Sequence, residues 1–168
     1  MQRAQSGVPQ ITIRPAASAD LPAIGRLGAL LVEAHHAFDP ARFIAATPAT
    51  PQGYANFLGT QLTEERVLLL VAEREGVVAG YLYAGLEGMD YMALRGPAGA
   101  IYDIVVDRAH RRQGVGQALL DAALKALTER GAPQVVLSTA AKNEEAQRLF
   151  ARAGFRQTMI EMTRGLGE

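Results

Sequence analysis

The chain has 168 residues, with 17 basic and 17 acidic side chains and no cysteine. This length predicts one domain, and the lack of cysteine excludes disulfides, zinc–cysteine sites and thiol nucleophiles. The balanced charge argues against a nucleic-acid partner, and the longest apolar run, Val67 to Ala72, is far shorter than the roughly 18 residues of a membrane span. Residues 1–6 lack the apolar core of a signal peptide. We therefore expect a cytoplasmic protein without membrane contact, a single domain over 1–168 with a flexible N-terminus at 1–10.

Hydrophobic periodicity divides the chain into strands and helices. Alternating or continuously apolar stretches predict strands at 11–14, 67–74, 77–83, 100–106, 134–139 and 155–164. Apolar residues at helical spacing predict helices at 18–37, 54–65, 116–130 and 144–153. The dipeptide Glu75-Gly76 predicts a tight hairpin between two of the strands. The class is therefore α+β, with a mixed, mostly antiparallel central sheet of about six to seven strands and about four helices.

Local signals predict where several of these elements begin and end. Ser18 or Asp20 is suited to cap the first helix, and three prolines in residues 40–52 predict a loop or a broken helix after it. Asn143 is suited to cap the last helix, which we expect to end at Gly154 with the next residue folded back onto it.

A basic turn follows the strand at 100–106 and carries the strongest functional signal. Arg111 and Arg112 precede Gly114 and Gly116, and the two glycines open an amphipathic helix. The first turn of a helix has unpaired N–H groups and a partial positive charge, and glycine allows phosphate oxygens to approach the backbone. The pattern favours a small anionic ligand over a long polyanion. A tight strand–helix turn without a ligand is the alternative interpretation.

Two common phosphate-binding motifs do not match this turn. The third glycine of a dinucleotide-binding fingerprint would stand at position 119, which is Leu119. A Gly-Lys-Ser/Thr triplet, which a P-loop requires, does not occur in the sequence.

The segment Arg111-Arg112-Gln113-Gly114-Val115-Gly116 matches Arg/Gln-x-x-Gly-x-Gly/Ala, the acetyl-CoA signature of the GNAT superfamily of N-acetyltransferases. A second family motif, usually Asn-x-x-Ala-x-x-Leu-Tyr-x-x-x-Gly-Phe, is similar to the residues Asn143, Ala146, Leu149, Phe150, Gly154 and Phe155. The chain thus resembles this superfamily over nearly its whole length, most specifically over residues 100–156. The resemblance implies a GNAT-like fold and acetyl-CoA as cosubstrate.

The resemblance also implies which residues bind the cosubstrate. Main-chain groups of Ile104 and Val106 would pair with the pantetheine arm, and an N–H near Val105 or Val106 would stabilise the thioester oxyanion. The pyrophosphate would be held by the two arginine side chains and by the N–H groups of Arg111, Arg112, Gln113, Gly114, Val115, Gly116, Gln117 and Ala118. Asn143 would contact the pantetheine or the adenylate portion, and a role as a plain helix cap explains it equally well.

Acetyl transfer to an amine needs a base, because an amine with a pKa near about 10.4 is protonated at neutral pH. Asp103 is the candidate base or substrate anchor, since it lies in an otherwise apolar strand where an acid is costly unless it is paired or functional. A purely structural role is the alternative. Phe150 stands where many relatives place a tyrosine that protonates the leaving thiolate, while still bordering the cofactor. Tyr102, Tyr83 or another hydroxyl then substitutes, or coenzyme A leaves unassisted.

The acceptor site is less clearly encoded. By the resemblance it includes Glu33, His36, Tyr83 and Glu87, and the two carboxylates suit a cationic amine. Their alternative role is that of solvated surface residues. His35, His36 and Asp39 do not form a convincing metal site, because adjacent histidines point in different directions on a helix.

These observations predict an N-acetyltransferase that moves an acetyl group from acetyl-CoA to a primary amine of a small molecule. The amine would attack directly in a ternary complex, and no metal is expected. The alternatives are a protein N-terminal or lysine acetyltransferase and a non-catalytic acetyl-CoA-binding module that serves as a sensor or partner domain. A homodimer is possible because dimers are common among the proteins that the chain resembles.

Overall fold

The computed structural model describes residues 10–167, so the expectation of a flexible N-terminus at 1–10 lies outside the described residues except for position 10. In chain order the elements are β1 (Ile11–Pro15), α1 (Leu21–Phe38), α2 (Thr50–Gln61), β2 (Val67–Arg74), β3 (Val77–Glu87), β4 (Ala98–Val106), α3 (Val115–Glu129), β5 (Val135–Leu137) and α4 (Glu144–Arg152). The α+β class and the four helices are confirmed. Within the described range, no helix is long and apolar enough to cross a membrane.

The strands form one sheet in the order β1-β2-β3-β4-β5. Neighbours are antiparallel from β1 to β4, and β5 lies parallel to β4. The predicted hairpin joins β2 to β3 through Glu75 and Gly76, whose φ angles of 52° and 77° suit the twist of the flanking strands. The prediction of a mixed, mostly antiparallel sheet is therefore confirmed.

Apolar layers on both faces of the sheet hold the helices in place. On one face α1 and α2 pack against alternate strand residues; the buried side chains are Ile24, Leu27, Leu58, Leu69, Val71, Tyr81 and Val105. On the other face α3 and the aromatic end of α4 cover the remaining strand residues; the largest buried side chains are Leu68, Leu70, Leu82, Ile101, Leu119, Leu120, Leu127 and Phe150. The sheet is thus the middle of three layers.

The sheet opens between β4 and β5. Tyr83 lies opposite Asp103 and Ala84 lies opposite Ile101, so Tyr102 is an extra residue that forms a β-bulge in β4. The pairing of β4 with β5 comprises three residue pairs and ends at Ile101 and Leu137. Beyond that point the two strands separate, and the last residues of β4 have no partner on this side among the described residues.

Several limits differ from the sequence predictions: β3 extends to Glu87, and β5 comprises only Val135–Leu137. Three further differences have a physical explanation. α2 begins at Thr50 rather than at Tyr54, because Pro51 occupies the first helical turn, where its missing N–H costs nothing. Asp20 stands at the start of α1, yet its carboxylate does not cap the helix but accepts hydrogen bonds from Arg14 at 2.8 and 2.9 Å and from the N–H of Ala17 at 2.8 Å.

The third difference is the last strand. The predicted strand at 155–164 is wrong, and the sheet has five strands rather than six to seven in residues 10–167. Met159, Ile160 and Met162 are 75–90% exposed. An alternating pattern marks a segment able to form a strand, but a strand exists only when its main chain pairs with a neighbour, and residues 155–164 pair with no strand of the described sheet.

Candidate active site

A cavity of about 270 Å³ lies where β4 and β5 separate. One side, the α1–α2 side, consists of Leu31, Val32, His35, Phe43, Ile44 and Tyr54. The opposite side, the β5–α4 side, consists of Leu137, Ser138, Thr139, Asn143, Ala146 and Phe150. Between them the floor is formed by Ile101, Tyr102, Asp103 and Ile104 of β4. The cavity thus exists because the strands part and the bulge shifts the register at this point.

The sequence candidate Asp103 lies in the floor of this cavity. Its Oδ2 accepts a hydrogen bond of 2.9 Å from the hydroxyl of Tyr81, which is fully buried in β3. Burial raises the pKa of Asp103, and this effect is opposed by the hydrogen bond from Tyr81 and by the nearby His35. A partly buried carboxylate that faces a cavity and has a raised pKa has the properties of a general base.

His35 is the titratable residue that α1 contributes to the cavity. Its Nδ1 lies 2.8 Å from the carbonyl oxygen of Leu31. Because a carbonyl only accepts, this Nδ1 carries the proton and donates, which leaves Nε2 as the free nitrogen of the ring. The imidazole packs edge-on against the ring of Phe43, with the centroids 5.0 Å apart. The ring is therefore fixed in position.

Besides Tyr81, three tyrosines lie at the cavity or behind its floor. Burial, with the charge of Asp103, raises the pKa of Tyr54 to about 12. Tyr102 lines the floor, and its hydroxyl donates to Oε1 of Glu87 at 2.7 Å. Tyr83 stacks at 4.8 Å from Tyr102 and donates to Gln61, but it does not line the cavity. Of the two predicted phenols, the structure brings Tyr102 to the cavity and leaves Tyr83 behind it.

The basic turn lies beside the open end of β4. Gly114, at the N-cap of α3, adopts a left-handed conformation with φ 85°, and Arg112 also has a positive φ of 57°. The Nε of Arg111 donates to the carbonyl of Val106 at 3.3 Å, so the turn is tied to the strand. A Cβ built on Gly116 would lie 3.6 Å from the Val106 side chain. The turn and the cavity floor are thus adjacent parts of one surface.

The first turn of α3 offers N–H groups that the helix does not use. The N–H of Ala118 already donates to the carbonyl of Gly114 at 3.0 Å. The N–H groups of Val115, Gly116 and Gln117 precede the first intrahelical bond and have no carbonyl to pair with inside the helix. Fewer main-chain N–H groups are therefore available to an anion than the predicted range of 111–118 contains, because that of Ala118 is already used. The side chains of the turn, Arg111, Arg112 and Gln113, are exposed.

Asn143 and Phe150 take part in local structure as well as in the cavity. The side chain of Asn143 accepts a hydrogen bond of 3.2 Å from the N–H of Ala146, so the predicted cap of α4 is confirmed. Gly154 ends the helix with φ 91°, and the N–H of Phe155 returns to the carbonyl of Phe150 at 3.0 Å. The buried ring of Phe150 packs edge-on against Phe155 and still borders the cavity.

The predicted acceptor residues do not meet at the cavity. Glu33 is exposed and lies 3.8 Å from Arg108. The Nδ1 of His36 is bound to the carbonyl of Phe43 at 2.8 Å, and Glu87 is engaged by Arg95 and by the Tyr102 hydroxyl. The structure thus leaves Glu33, His36 and Glu87 outside the cavity lining. One residue along a helix rotates the side chain by about 100°, so His35 rather than His36 lines the cavity.

Several residues that line the cavity or support its floor are not predicted from the sequence. Tyr81 reaches Asp103 because the bulge sets the register of β3 against β4, and no local pattern reveals that register. Phe43 and Ile44 belong to the proline-rich loop, whose path depends on the packing of α1 against α2. Among the described residues there is no group of three or more His, Cys, Asp or Glu side chains arranged to hold a metal ion.

Comparison with known proteins places the chain in a family. The sequence profile described as the acetyltransferase (GNAT) family matches residues 31–155. Phosphinothricin N-acetyltransferase of Streptomyces viridochromogenes is 31% identical over 147 residues, which cover 86% of this chain and 74% of that protein. N-alpha-acetyltransferase of Sulfurisphaera tokodaii is 30% identical over 118 residues, covering 67% and 71%. The chain therefore belongs to the GNAT family of acetyltransferases, enzymes that use acetyl-CoA as the acetyl donor.

Another relative matches over a small part of its length, whereas two solved structures match over nearly all of theirs. Mycothiol acetyltransferase of Thermobispora bispora is 35% identical over 96 residues, 55% of this chain but only 31% of that protein. A Clostridium acetobutylicum protein described as a predicted acetyltransferase with acetyl-CoA superposes with a TM-score of 0.71 at 13% identity, covering 94% of this chain and 97% of the other. An aminoglycoside N-acetyltransferase in complex with CoA gives 0.70 at 18% identity, covering 98% and 100%. At these identities the superpositions show the shared fold alone.

Proposed function

We propose that this chain transfers the acetyl group of acetyl-CoA to the primary amine of a small molecule, with Asp103 as the base. The observation that carries the proposal is the position of this carboxylate. Among the described residues, it is the only carboxylate that lines the cavity at the opening of the sheet. Relatives named for phosphinothricin and mycothiol support a small-molecule acceptor.

The residues beside the opening fit acetyl-CoA. The free N–H groups at the start of α3 and the exposed Arg111 and Arg112 suit a pyrophosphate. The unpaired edge of β4 at Ile104–Val106 offers main-chain donors and acceptors to an amide-bearing arm. Ser138, Thr139 and Asn143 add polar side chains on the β5–α4 side. When bound, acetyl-CoA supplies a thioester that is already activated toward an amine.

The acceptor must lose a proton before it can attack. An alkylammonium has a pKa near about 10.4, and a carboxylate with a raised pKa accepts this proton better than an ordinary one. Asp103 has the burial and the raised pKa for this role, and the Tyr81 hydroxyl holds its Oδ2 in place. Phe150 has no proton to give to the leaving thiolate. We assign that role to Tyr102, which lines the cavity floor and whose hydroxyl would have to turn from Glu87, its partner in this structure, toward the thiolate.

The first test is whether the protein binds acetyl-CoA. We expect acetyl-CoA at about 100 times its Kd to stabilise the fold by roughly 2.7 kcal/mol, which raises the midpoint of thermal unfolding measurably. An ATP titration is the control, because it adds phosphates and adenine without a pantetheine arm. No shift at millimolar acetyl-CoA, or an equal shift with ATP, would contradict the proposal. A specific shift justifies assays for turnover with amines.

Tyr81→Phe is expected to move the pH profile of kcat rather than to abolish activity. The hydroxyl favours the charged form of Asp103, so its removal raises the pKa of this carboxyl further. Because the base must be deprotonated, the acidic limb of kcat then moves to higher pH, by about one unit for a hydrogen bond worth roughly 1.5 kcal/mol. Tyr83→Phe is the matched control, since its hydroxyl donates to Gln61 instead. Identical acidic limbs in wild type and Tyr81→Phe would count against Asp103 as the base.

A further inference from the structure

We infer that the acceptor is a small monoamine with an apolar body, and that the α1–α2 side of the cavity selects against a second positive charge. This inference rests on the proposed function. It is carried by the difference between the two sides of the cavity, by the number of carboxylates in it and by the way in which Phe43 is held.

The two sides of the cavity differ in polarity. Ser138, Thr139 and Asn143 give the β5–α4 side hydroxyl and amide groups, which suit the amide-bearing arm of the cosubstrate. The α1–α2 side presents aliphatic and aromatic surface, with the imidazole of His35 and the hydroxyl of Tyr54 as its polar groups. An acceptor that enters from this side meets apolar walls. Burial of an apolar body there is favourable because it removes apolar surface from water.

The described lining of the cavity offers a negative counter-charge to one ammonium group only. Asp103 is its single carboxylate in the part of the chain that the structure describes. Glu33 and Glu87, the acids expected to bind a cationic acceptor, interact with Arg108 and Arg95 outside it. A second ammonium on the acceptor would be desolvated without a counter-charge, which is unfavourable.

The apolar wall is held in place by its neighbours. The ring of Phe43 packs against the edge of His35 and lies 4.9 Å from the guanidinium of Arg42. The carbonyl of Phe43 is bound by Nδ1 of His36 at 2.8 Å, and Arg42 in turn pairs with Glu161, with Nη2 and Oε2 3.1 Å apart. The wall is thus formed before an acceptor arrives. The whole cavity measures about 270 Å³, and its β5–α4 side is assigned to the cosubstrate, so the space on the α1–α2 side suits a small body.

A matched pair of amines tests the inference. Hexylamine and hexamethylenediamine have the same carbon chain and differ in the second ammonium. We expect hexylamine to have a kcat/KM at least tenfold higher, after correction for the two amines of the diamine. Binding is measured independently of turnover by calorimetry, with coenzyme A present to fill the donor side. The same preference of at least tenfold is expected in Kd.

A charge introduced at the cavity mouth should reduce this preference. Ile44 lines the α1–α2 side and is 78% exposed, so Ile44→Glu places a carboxylate there with little cost to the fold. We expect the ratio of kcat/KM for hexylamine to kcat/KM for the diamine to fall by about tenfold or to reverse. The reason is that the second ammonium gains a negatively charged partner. Met92→Glu is the control, since Met92 is 91% exposed in the β3–β4 loop and does not border the cavity. Its ratio should equal that of the wild type.

The outcomes separate this inference from the proposed function. Equal or better binding and turnover of the diamine by the wild type would overturn the acceptor class while acetyl transfer stands. An unchanged ratio in Ile44→Glu would remove the α1–α2 side as the selecting surface. If acetyl-CoA binds and neither amine binds, the acceptor class is wrong and the donor site remains. If acetyl-CoA itself does not bind, the proposed function fails and the inference falls with it.

Discussion

Asp103→Asn is expected to lower kcat by roughly 10²- to 10⁴-fold, the usual contribution of general acid–base catalysis. The amide has the shape of the carboxyl group and can still accept the hydrogen bond of Tyr81, but it cannot take a proton from the acceptor ammonium. Burial raises the pKa of Asp103, so wild-type kcat should rise with pH as this carboxyl ionises. The variant should lack that limb of the profile.

The same substitution should not weaken the fold. A carboxyl whose pKa is raised in the folded state contributes stability when it is neutral, and this contribution is lost as the pH rises through the folded pKa. At neutral pH the buried charge of Asp103 therefore lowers the free energy of unfolding, and Asp103→Asn should leave it unchanged or increase it, as measured by urea unfolding. Lost activity in a protein at least as stable as the wild type is the signature of a catalytic group.

Asp107→Asn is the matched control for this experiment. Its carboxylate lies just after β4 and accepts the N–H of Ala109 at 2.8 Å, a bond that an asparagine side chain also makes. We expect its kcat to stay near the wild-type value and its pH profile to be unchanged. Full activity of Asp103→Asn at every pH would refute Asp103 as the base, whatever the control shows.

Gly116→Glu is expected to weaken acetyl-CoA binding by roughly 100-fold, since like charges placed together cost several kcal/mol. The new carboxylate would stand in the first turn of α3, where we place the pyrophosphate. The fold should tolerate it, because a Cβ at this position meets Leu149 and Val106 at 3.5 and 3.6 Å, which are ordinary contacts. Glutamate is also a better helix former than glycine and is favoured in a first helical turn. Titration of acetyl-CoA during thermal unfolding measures the effect.

Gly116→Gln separates the charge from the bulk of the new side chain. Glutamine has nearly the same size and no charge, so it should weaken binding far less than glutamate does. Similar losses in both variants would mean that space, rather than repulsion of a phosphate, explains the effect. Wild-type affinity in Gly116→Glu would show that the turn at 111–116 does not hold the cosubstrate.

The elements that were predicted well are those with strong local signals. β2 was predicted with its observed limits, and α3 within one residue at each end, because hydrophobic periodicity and the flanking turn residues act locally. The same kind of alternation predicts a strand at 155–164, but whether a strand forms depends on main-chain pairing with a neighbour, which local alternation does not encode. The sequence predicts too late a start for α2, because the prolines of residues 40–52 indicate a loop although Pro51 stands in the first helical turn.

The candidate site shows the same division. Asp103 was detectable as a charge in an apolar strand, and the turn at 111–116 as a sequence motif. The hydroxyl of Tyr81 reaches Asp103 because of a β-bulge, and His35 rather than His36 lines the cavity because of the rotation along the helix. A sequence pattern reveals neither. Residues that contact each other across elements are therefore the part that needed the structure.

The opening between β4 and β5 has a consequence for how the enzyme can change. The proposed donor side relies largely on peptide groups: the unpaired edge of β4 and the first N–H groups of α3. Most substitutions leave such groups in place. The proposed acceptor side consists of side chains from α1, α2 and the loop between them, and each substitution there alters what it admits. Substitutions within residues 31–54 can thus change the acceptor specificity of this fold while its specificity for the acetyl donor is retained.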